Sequence, residues 1–351
     1  MLENRSNISV VICAYTESRW NELIDAVHSM QRQSYPADEI ILVIDHNPTL
    51  FERARRHFSD VTVIENTGPR GLSGARNSGI QASQGDFIAF LDDDAIASPR
   101  WLALMHTRCQ DRQVLGAGGI IHPLWPGKRP EWFPEEFSWV IGCSYQDFQG
   151  KATRVRNIYG ASMYIRREVF ETIGGFRTTL GRTDAKSLPL GCEETELCIR
   201  AGQRWPNRFF LCDPGTIIHH HISPRRVKRS YFCSRCFAEG ISKATMARYV
   251  NTKIALATEQ AYTRQVLSRG LLRELHAGLR GDLSGLDRAC MIVAGFAAAA
   301  AGYALGTLSN ALSSRVLHNL DLPSLASAFR RNSTHFPARP VPLTPEPQRN
   351  R

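Results

Sequence analysis

Residues 71–94 read GLSGARNSGIQASQGDFIAFLDDD. A glycine-rich turn leads into a helix over 73–83, and an apolar strand over 86–91 then ends in three consecutive carboxylates. Upstream, the same alternation repeats. ISVVICAY (8–15), EIILVID (39–45) and VTVIE (61–65) are β-rich apolar runs of strand length. Between them, Trp20, Leu23, Ile24, Val27 and Met30 recur at helical spacing, and 48–58 reads as a second helix. Strands that are apolar on both faces and alternate with helices predict an α/β fold, a mostly parallel sheet covered by helices on two sides. Ligands of such sheets bind at the carboxyl ends of the strands, which here carry Ala14 and Tyr15, Asp45, and Asp92, Asp93 and Asp94.

Three adjacent carboxylates repel one another unless a cation sits among them, and hard oxygen donors suit Mn²⁺ or Mg²⁺, ions that keep open positions for substrate phosphates. The turn at 68–79 offers backbone amides and Arg70 or Arg76 to an anion. Farther on, 114–121 and 155–165 read as strands and 192–203 as a helix, with a Trp/Pro-rich loop over 122–150 between the two strands. In the helix, Glu194, Leu197, Cys198 and Ala201 follow the i, i+3, i+4, i+7 spacing of an inward stripe, which places Glu193, Glu196 and Arg200 on the other side. An ionised Glu194 near a helix N-terminus is suited to accept a proton. In the strand-like run TIIHHH, alternation sets His220 opposite to His219 and His221.

The order VVICAY, Asp45, GLSGARNSGIQASQGDFIAFLDDD, GASMYIRREVFETIGGF, GCEETELCIRA resembles glycosyltransferase family 2 with its GT-A nucleotide-sugar-binding fold, over roughly residues 8–225. Within the family the pattern is most similar to the polyprenyl-phosphate-linked sugar and exopolysaccharide transferases. The resemblance implies a metal-dependent inverting transfer from a nucleotide-diphosphate sugar, expected to be UDP-linked, to a glycan or lipid-linked acceptor. It implies a donor site of Ala14, Tyr15, Asp45, Arg76, Asp92 and Asp93, a metal held by Asp94 and His220, an acceptor side including Gly160, Ala161 and Glu193, and Glu194 as catalytic base. A sugar-nucleotide pyrophosphorylase would carry a Gly-rich Arg/Lys signature after the first strand, where this chain has CAYTESR. QRW at 203–205 lacks the spacing of processive synthases.

The overall charge of +10 is uneven: residues 1–150 carry 13 basic and 19 acidic groups, and residues 201–351 carry 21 and 8. A basic C-terminal third faces something anionic. A purely non-enzymatic membrane or nucleic-acid binder would leave the carboxylates at 92–94 without a role, so the anion expected is a membrane surface and no nucleic-acid partner is assigned. Nine dispersed cysteines do not form a disulfide framework, Cys233 and Cys236 read as two thiols on a helix, and the N-terminus shows no signal-like apolar core. The expected organisation is a catalytic domain over 1–225, a basic helical extension over 226–288, an uncharged helix over 289–314 that contains GYALG, and a Pro-rich, partly disordered tail over 315–351. The expected location is cytoplasmic, peripheral to or anchored at the inner face of the cell membrane.

Overall fold

The computed structural model describes residues 6–145, 150–182, 189–250 and 259–319, with side chains to residue 311. Its first half is the parallel unit expected. Strands β1 (Ile8–Ala14), β2 (Glu39–Ile44), β3 (Thr62–Glu65) and β4 (Phe87–Asp92) lie in the order β3-β2-β1-β4. They are joined by α1 (Trp20–Gln31), α2 (Pro48–His57) and α3 (Leu72–Ala82). Local chemistry sets the helix ends: Asn47 caps α2 by accepting from the Leu50 amide, with Pro48 in the first turn and Arg55, Arg56 and His57 in the last. Val10 and Ile12 pack into one core cluster and Val11 into a second, so alternation along β1 builds a core on each face of the sheet.

The second half is mixed. It comprises β5 (Ala95–Ala97), α4 (Trp101–Arg108), β6 (Val114–Leu124), β7 (Thr153–Val155), β8 (Ser162–Arg166), α5 (Arg167–Ile173), α6 (Glu193–Arg204) and β9 (Phe209–His221). β8 is antiparallel to both β4 and β6, β6 and β9 are parallel, and β5 and β7 run antiparallel to β9. The single strand expected at 155–165 is broken in two. Ile158 lies where a Cβ on Gly118 would be only 2.8 Å away, and the Gly160 carbonyl accepts from Arg76 Nη2 at 2.9 Å, so residues 156–161 leave the sheet to cover its face. Two elements have no counterpart in the sequence reading, β5 and α4; the first pairs Ala95 with His220 and thereby sets the end of β9 against the acidic strand end.

Among the described residues three further helices follow: α7 (Arg229–Met246), α8 (Ser268–Leu279), entered through a wide turn at Tyr262–Leu267, and α9 (Leu283–Asn319). Helices α7 and α9 approach closely because small residues meet there. A Cβ on Gly302 would lie 2.0 Å from the Phe237 carbonyl oxygen, and one on Gly306 would lie 2.8 Å from Ala244. The GYALG motif therefore packs two helices of one chain. Cys236 is buried within this part of the core, with Cys233 packed beside it, and the Pro-rich tail beyond residue 319 lies outside the described residues.

Candidate active site

The carboxyl ends of β1, β2 and β4 open into a cavity of about 2120 Å³ that reaches from Tyr15 and Asp45 to Tyr303 on α9. At its sheet end, one oxygen each of Asp92 and Asp94 and one ring nitrogen of His220 lie within 4.8 Å of one another. Register accounts for this: β4 delivers Asp92 at its last position, the chain turns through Asp93 and Asp94, and the β5–β9 pairing carries His220 in. His220 Nε2 is 2.9 Å from Asp94 Oδ1, and both side chains are buried. His219 instead lies beside His122, and His221 faces Asp25.

Two arginines surround this cluster that sequence reading did not single out. Arg19 Nη1 contacts Asp93 Oδ1 at 2.8 Å and Asp94 Oδ2 at 3.1 Å, and Arg226 Nη2 reaches Asp94 Oδ2 at 3.6 Å. Neither belongs to a motif: Arg19 ends the short 3-10 turn Glu17–Arg19 that leads into α1, and Arg226 lies in the loop between β9 and α7. Burial works to raise the Asp94 carboxyl, but His220, Arg19 and Arg226 outweigh it and hold it well below the usual range. Burial pushes Asp93 up to about 7, with Asp94 and Asp92 adding to the effect and Arg19 opposing it. Asp93 Oδ2 is buried with no partner among the described residues. Two carboxylates, an imidazole and a neighbouring orphaned oxygen fit a divalent cation, and the nitrogen donor suits Mn²⁺ better than Mg²⁺.

The expected donor residues lie along one wall. Ala14 is buried at the end of β1, while Tyr15 is exposed with Arg19 over its ring. Asp45 accepts from the Gly71 amide at 2.9 Å and from Asn66 Nδ2 at 2.6 Å, so it fixes the turn that opens α3. That turn requires glycine, because Gly71 has φ of +123°. Arg76 is almost fully buried and acts as a clamp. It reaches Glu193 Oε1 at 3.0 Å, Asp92 Oδ1 at 3.2 Å and the Gly160 carbonyl at 2.9 Å, joining α6, β4 and the segment before Ala161.

Helix α6 is covered on more sides than its stripe suggests. Glu193 and Glu196, expected on the far side, are 5% and 0% exposed, and each has a cation: Arg76 for Glu193, Arg177 and Arg200 for Glu196. Glu194 is the partly exposed member of the three. It lines the cavity and makes no ion pair among the described residues. Burial of its carboxyl, with the charge of Glu193 alongside, raises it from 4.5 to about 7, against the pull of Arg76. Cys192, in left-handed conformation at φ of +74°, turns the chain into α6 so that Glu193 faces Arg76 and Glu194 the cavity.

The Trp/Pro-rich loop both packs and lines. Phe133 and Phe137 are core residues, Trp139 Nε1 donates to the Tyr262 hydroxyl at 3.1 Å, and Trp125 and Trp139 also face the cavity.

The model of the family described as Glycosyl transferase family 2 matches residues 9–174. The glucosyl-dolichyl phosphate glucuronosyltransferase of Haloferax volcanii is 32% identical over 243 residues, covering 68% of this chain and 77% of that protein. The succinoglycan biosynthesis protein ExoM of Rhizobium meliloti is 23% identical over 244 residues, covering 67% of this chain and 73% of that one. Among solved structures, the mannosyltransferase PcManGT from Pyrobaculum calidifontis, in complex with GDP-Man and Mn²⁺, superposes with a TM-score of 0.57 at 17% identity, over 86% of this chain and 88% of that one. This last similarity concerns the fold.

Proposed function

This chain belongs to glycosyl transferase family 2, and we propose that it moves a sugar, with inversion, from a UDP-linked donor to a hydroxyl of a glycan or lipid-linked acceptor. One observation carries the reading. Of the three glutamates in the first turn of α6, Glu194 alone has no cation partner among the described residues, and it faces a cavity that ends at Asp92, Asp94 and His220.

In this reading the nucleotide lies along Ala14, Tyr15 and Asp45, with Asp92 and Asp93 on the ribose and diphosphate side. Asp92, Asp94 and His220 would hold Mn²⁺ or Mg²⁺, whose charge offsets that of the departing diphosphate. Glu194 accepts the proton of the acceptor hydroxyl as that oxygen bonds to the anomeric carbon. The carbon's bond to the diphosphate oxygen breaks on the opposite face, and the nucleoside diphosphate leaves. Arg76 fixes Glu193, and with it the start of α6, against Asp92, so the base and the acidic cluster keep one relative position. Gly160 and Ala161, on the segment that Arg76 also ties down, form the near wall of the acceptor space.

The helices α8 and α9 support a peripheral position on the inner face of the cell membrane. The most apolar 18-residue window within Leu283–Ala311 has mean hydropathy 1.8 and is only one-third buried, and Leu305 and Leu308 are 54% and 62% exposed.

The test is a screen of nucleotide-sugars for Mn²⁺-dependent hydrolysis and transfer, followed by Glu194→Gln with the preferred donor. The amide keeps the shape but takes no proton, so kcat should fall by about 10²–10⁴ with nucleotide affinity unchanged. Retained turnover in that variant would remove Glu194 from the chemistry.

A further inference from the structure

Both oxygens of Asp94 are engaged by side chains of the protein itself. Oδ1 meets His220 Nε2 at 2.9 Å, and Oδ2 meets Arg19 Nη1 at 3.1 Å and Arg226 Nη2 at 3.6 Å. Asp92 is held in turn by Arg76 at 3.2 Å, and Asp93 by the same Arg19 nitrogen at 2.8 Å. Arg76 also binds Glu193, so four carboxylates meet three guanidiniums, with one formal negative charge left over. A divalent ion entering alone turns that balance positive and sets a new cation against Arg19 and Arg226 in a buried site, where like charges are costly. A nucleoside diphosphate arriving with the ion restores the negative charge.

The three guanidiniums are not held alike. Arg76 is buried and tied to the Gly160 carbonyl as well as to its two carboxylates, and Arg226 is buried and donates to the Ile141 carbonyl at 3.2 Å. The Arg19 side chain is 21% exposed and has no backbone acceptor among the described residues. Its main chain, by contrast, is fixed: Thr16 Oγ1 accepts from the Ser18 amide at 3.3 Å and so starts the turn that Arg19 ends. The guanidinium also lies 5.4 Å from the centre of the Tyr15 ring, and Tyr15, Arg19 and Asp93 all line the cavity. Arg19 is thus a cation on a fixed stem, between the acidic strand end and the wall that the proposed function gives to the nucleotide.

We propose that Arg19 is a positioning residue that stands in for the divalent cation in the free protein: it holds Asp93 and Asp94 together, yields Asp94 Oδ2 when the ion enters, and thereby couples metal binding to the arrival of the diphosphate. This rests on the reading of Asp92, Asp94 and His220 as the metal site. Neutralising Arg19 removes a competitor for one ligand oxygen, so the ion then binds with less help from the nucleotide.

Titration calorimetry on the full chain, with Mn²⁺ alone and with Mn²⁺ in the presence of UDP, tests this without turnover. The intact chain should bind Mn²⁺ at least about tenfold more tightly when UDP is present, and UDP should gain by the same factor from Mn²⁺, because coupling between two ligands is reciprocal. Arg19→Gln and Arg19→Met should each bind Mn²⁺ alone at least about tenfold more tightly than the intact chain, the scale on which groups outside the metal's own ligands alter its affinity. The effect of UDP should shrink to match. Arg19→Lys keeps the charge and should behave like the intact chain. Unchanged or weaker Mn²⁺ binding in the neutral variants overturns the proposal; weaker binding with a lower Tm is what a purely structural arginine would give. An intact chain that binds UDP, yet takes up Mn²⁺ equally well with and without it, overturns the proposal with no variant needed. Failure of the transfer reading looks different: no nucleotide-sugar is consumed, while Arg19→Gln still tightens the binding of Mn²⁺ alone.

Discussion

Glu194 differs from its two neighbouring glutamates by what surrounds it. Arginines neutralise Glu193 and Glu196, whereas Glu194 is desolvated beside a like charge and rises to about 7. A raised carboxyl is ionised only above its shifted value, so kcat/KM should be lost as pH falls through about 7, not near the ordinary value of 4.5. Glu193→Gln removes the adjacent negative charge and frees Arg76, and both changes lower the Glu194 carboxyl. The acidic limb of the profile should then move to lower pH. A limb that stays in place when Glu193 is changed would detach it from Glu194. At the other end of the cavity, Asp94→Ala should weaken Mn²⁺-dependent UDP binding by at least about tenfold, since even outer-sphere partners cost 10–100-fold in metal affinity. Calorimetry with and without Mn²⁺ reads this directly. Asp94 and Glu194 were both singled out as candidates in the sequence, the first from three carboxylates after an apolar strand and the second from its stripe with Leu197, Cys198 and Ala201 and from the family resemblance. Arg19 and Arg226 were not, because a lone arginine between elements carries no signal until the fold brings it to a carboxylate.

Helix α9 shows how one composition serves two neighbours. Gly302 and Gly306 face α7 while Val293, Leu305 and Leu308 are exposed, so the inner side permits close packing and these outer residues have little protein cover among the described residues. Gly302→Leu would set a side chain against the Phe237 carbonyl, a backbone group that cannot swing aside. The cost should be about 1–3 kcal/mol, seen as a lower Tm, and because Tyr303 and Ala299 line the cavity, transfer should fall with it. Gly127→Ala, where an added Cβ meets nothing within 4 Å, should change neither. Arg273 and Arg288 secure the same hairpin: they meet Glu274 at 2.6 Å each, and Arg273 also meets Glu136 of the Trp/Pro-rich loop.

In the molecule as a whole, the cavity draws its walls from the parallel half, the mixed half and the C-terminal helices together. Removing everything from Leu283 onward would therefore strip a wall of the cavity and uncover α7, confusing loss of membrane contact with loss of fold. Leu305→Glu combined with Leu308→Glu is the better probe, because both side chains already face outward. Each buried leucine contributes about 1.5–3 kcal/mol to partition from water, so the pair should reduce the membrane-bound fraction by about a hundredfold or more. Vesicle sedimentation measures this, and UDP binding should remain. Unchanged sedimentation would refute the membrane role of this face.

Local chemistry alone determined the parallel half of the sheet, the helices between its strands, the acidic strand end and the glutamate-bearing helix. Each depends on periodicity or adjacency over a few residues, which a chain displays in its order. Only the three-dimensional fold decided that residues 156–161 leave the sheet, that β5 brings His220 to Asp94, that Arg76 joins four segments, and that GYALG packs against α7. These outcomes depend on contacts between residues up to 126 positions apart in the chain, as with Asp94 and His220. Such contacts are set by register and close packing, which no short window of sequence contains.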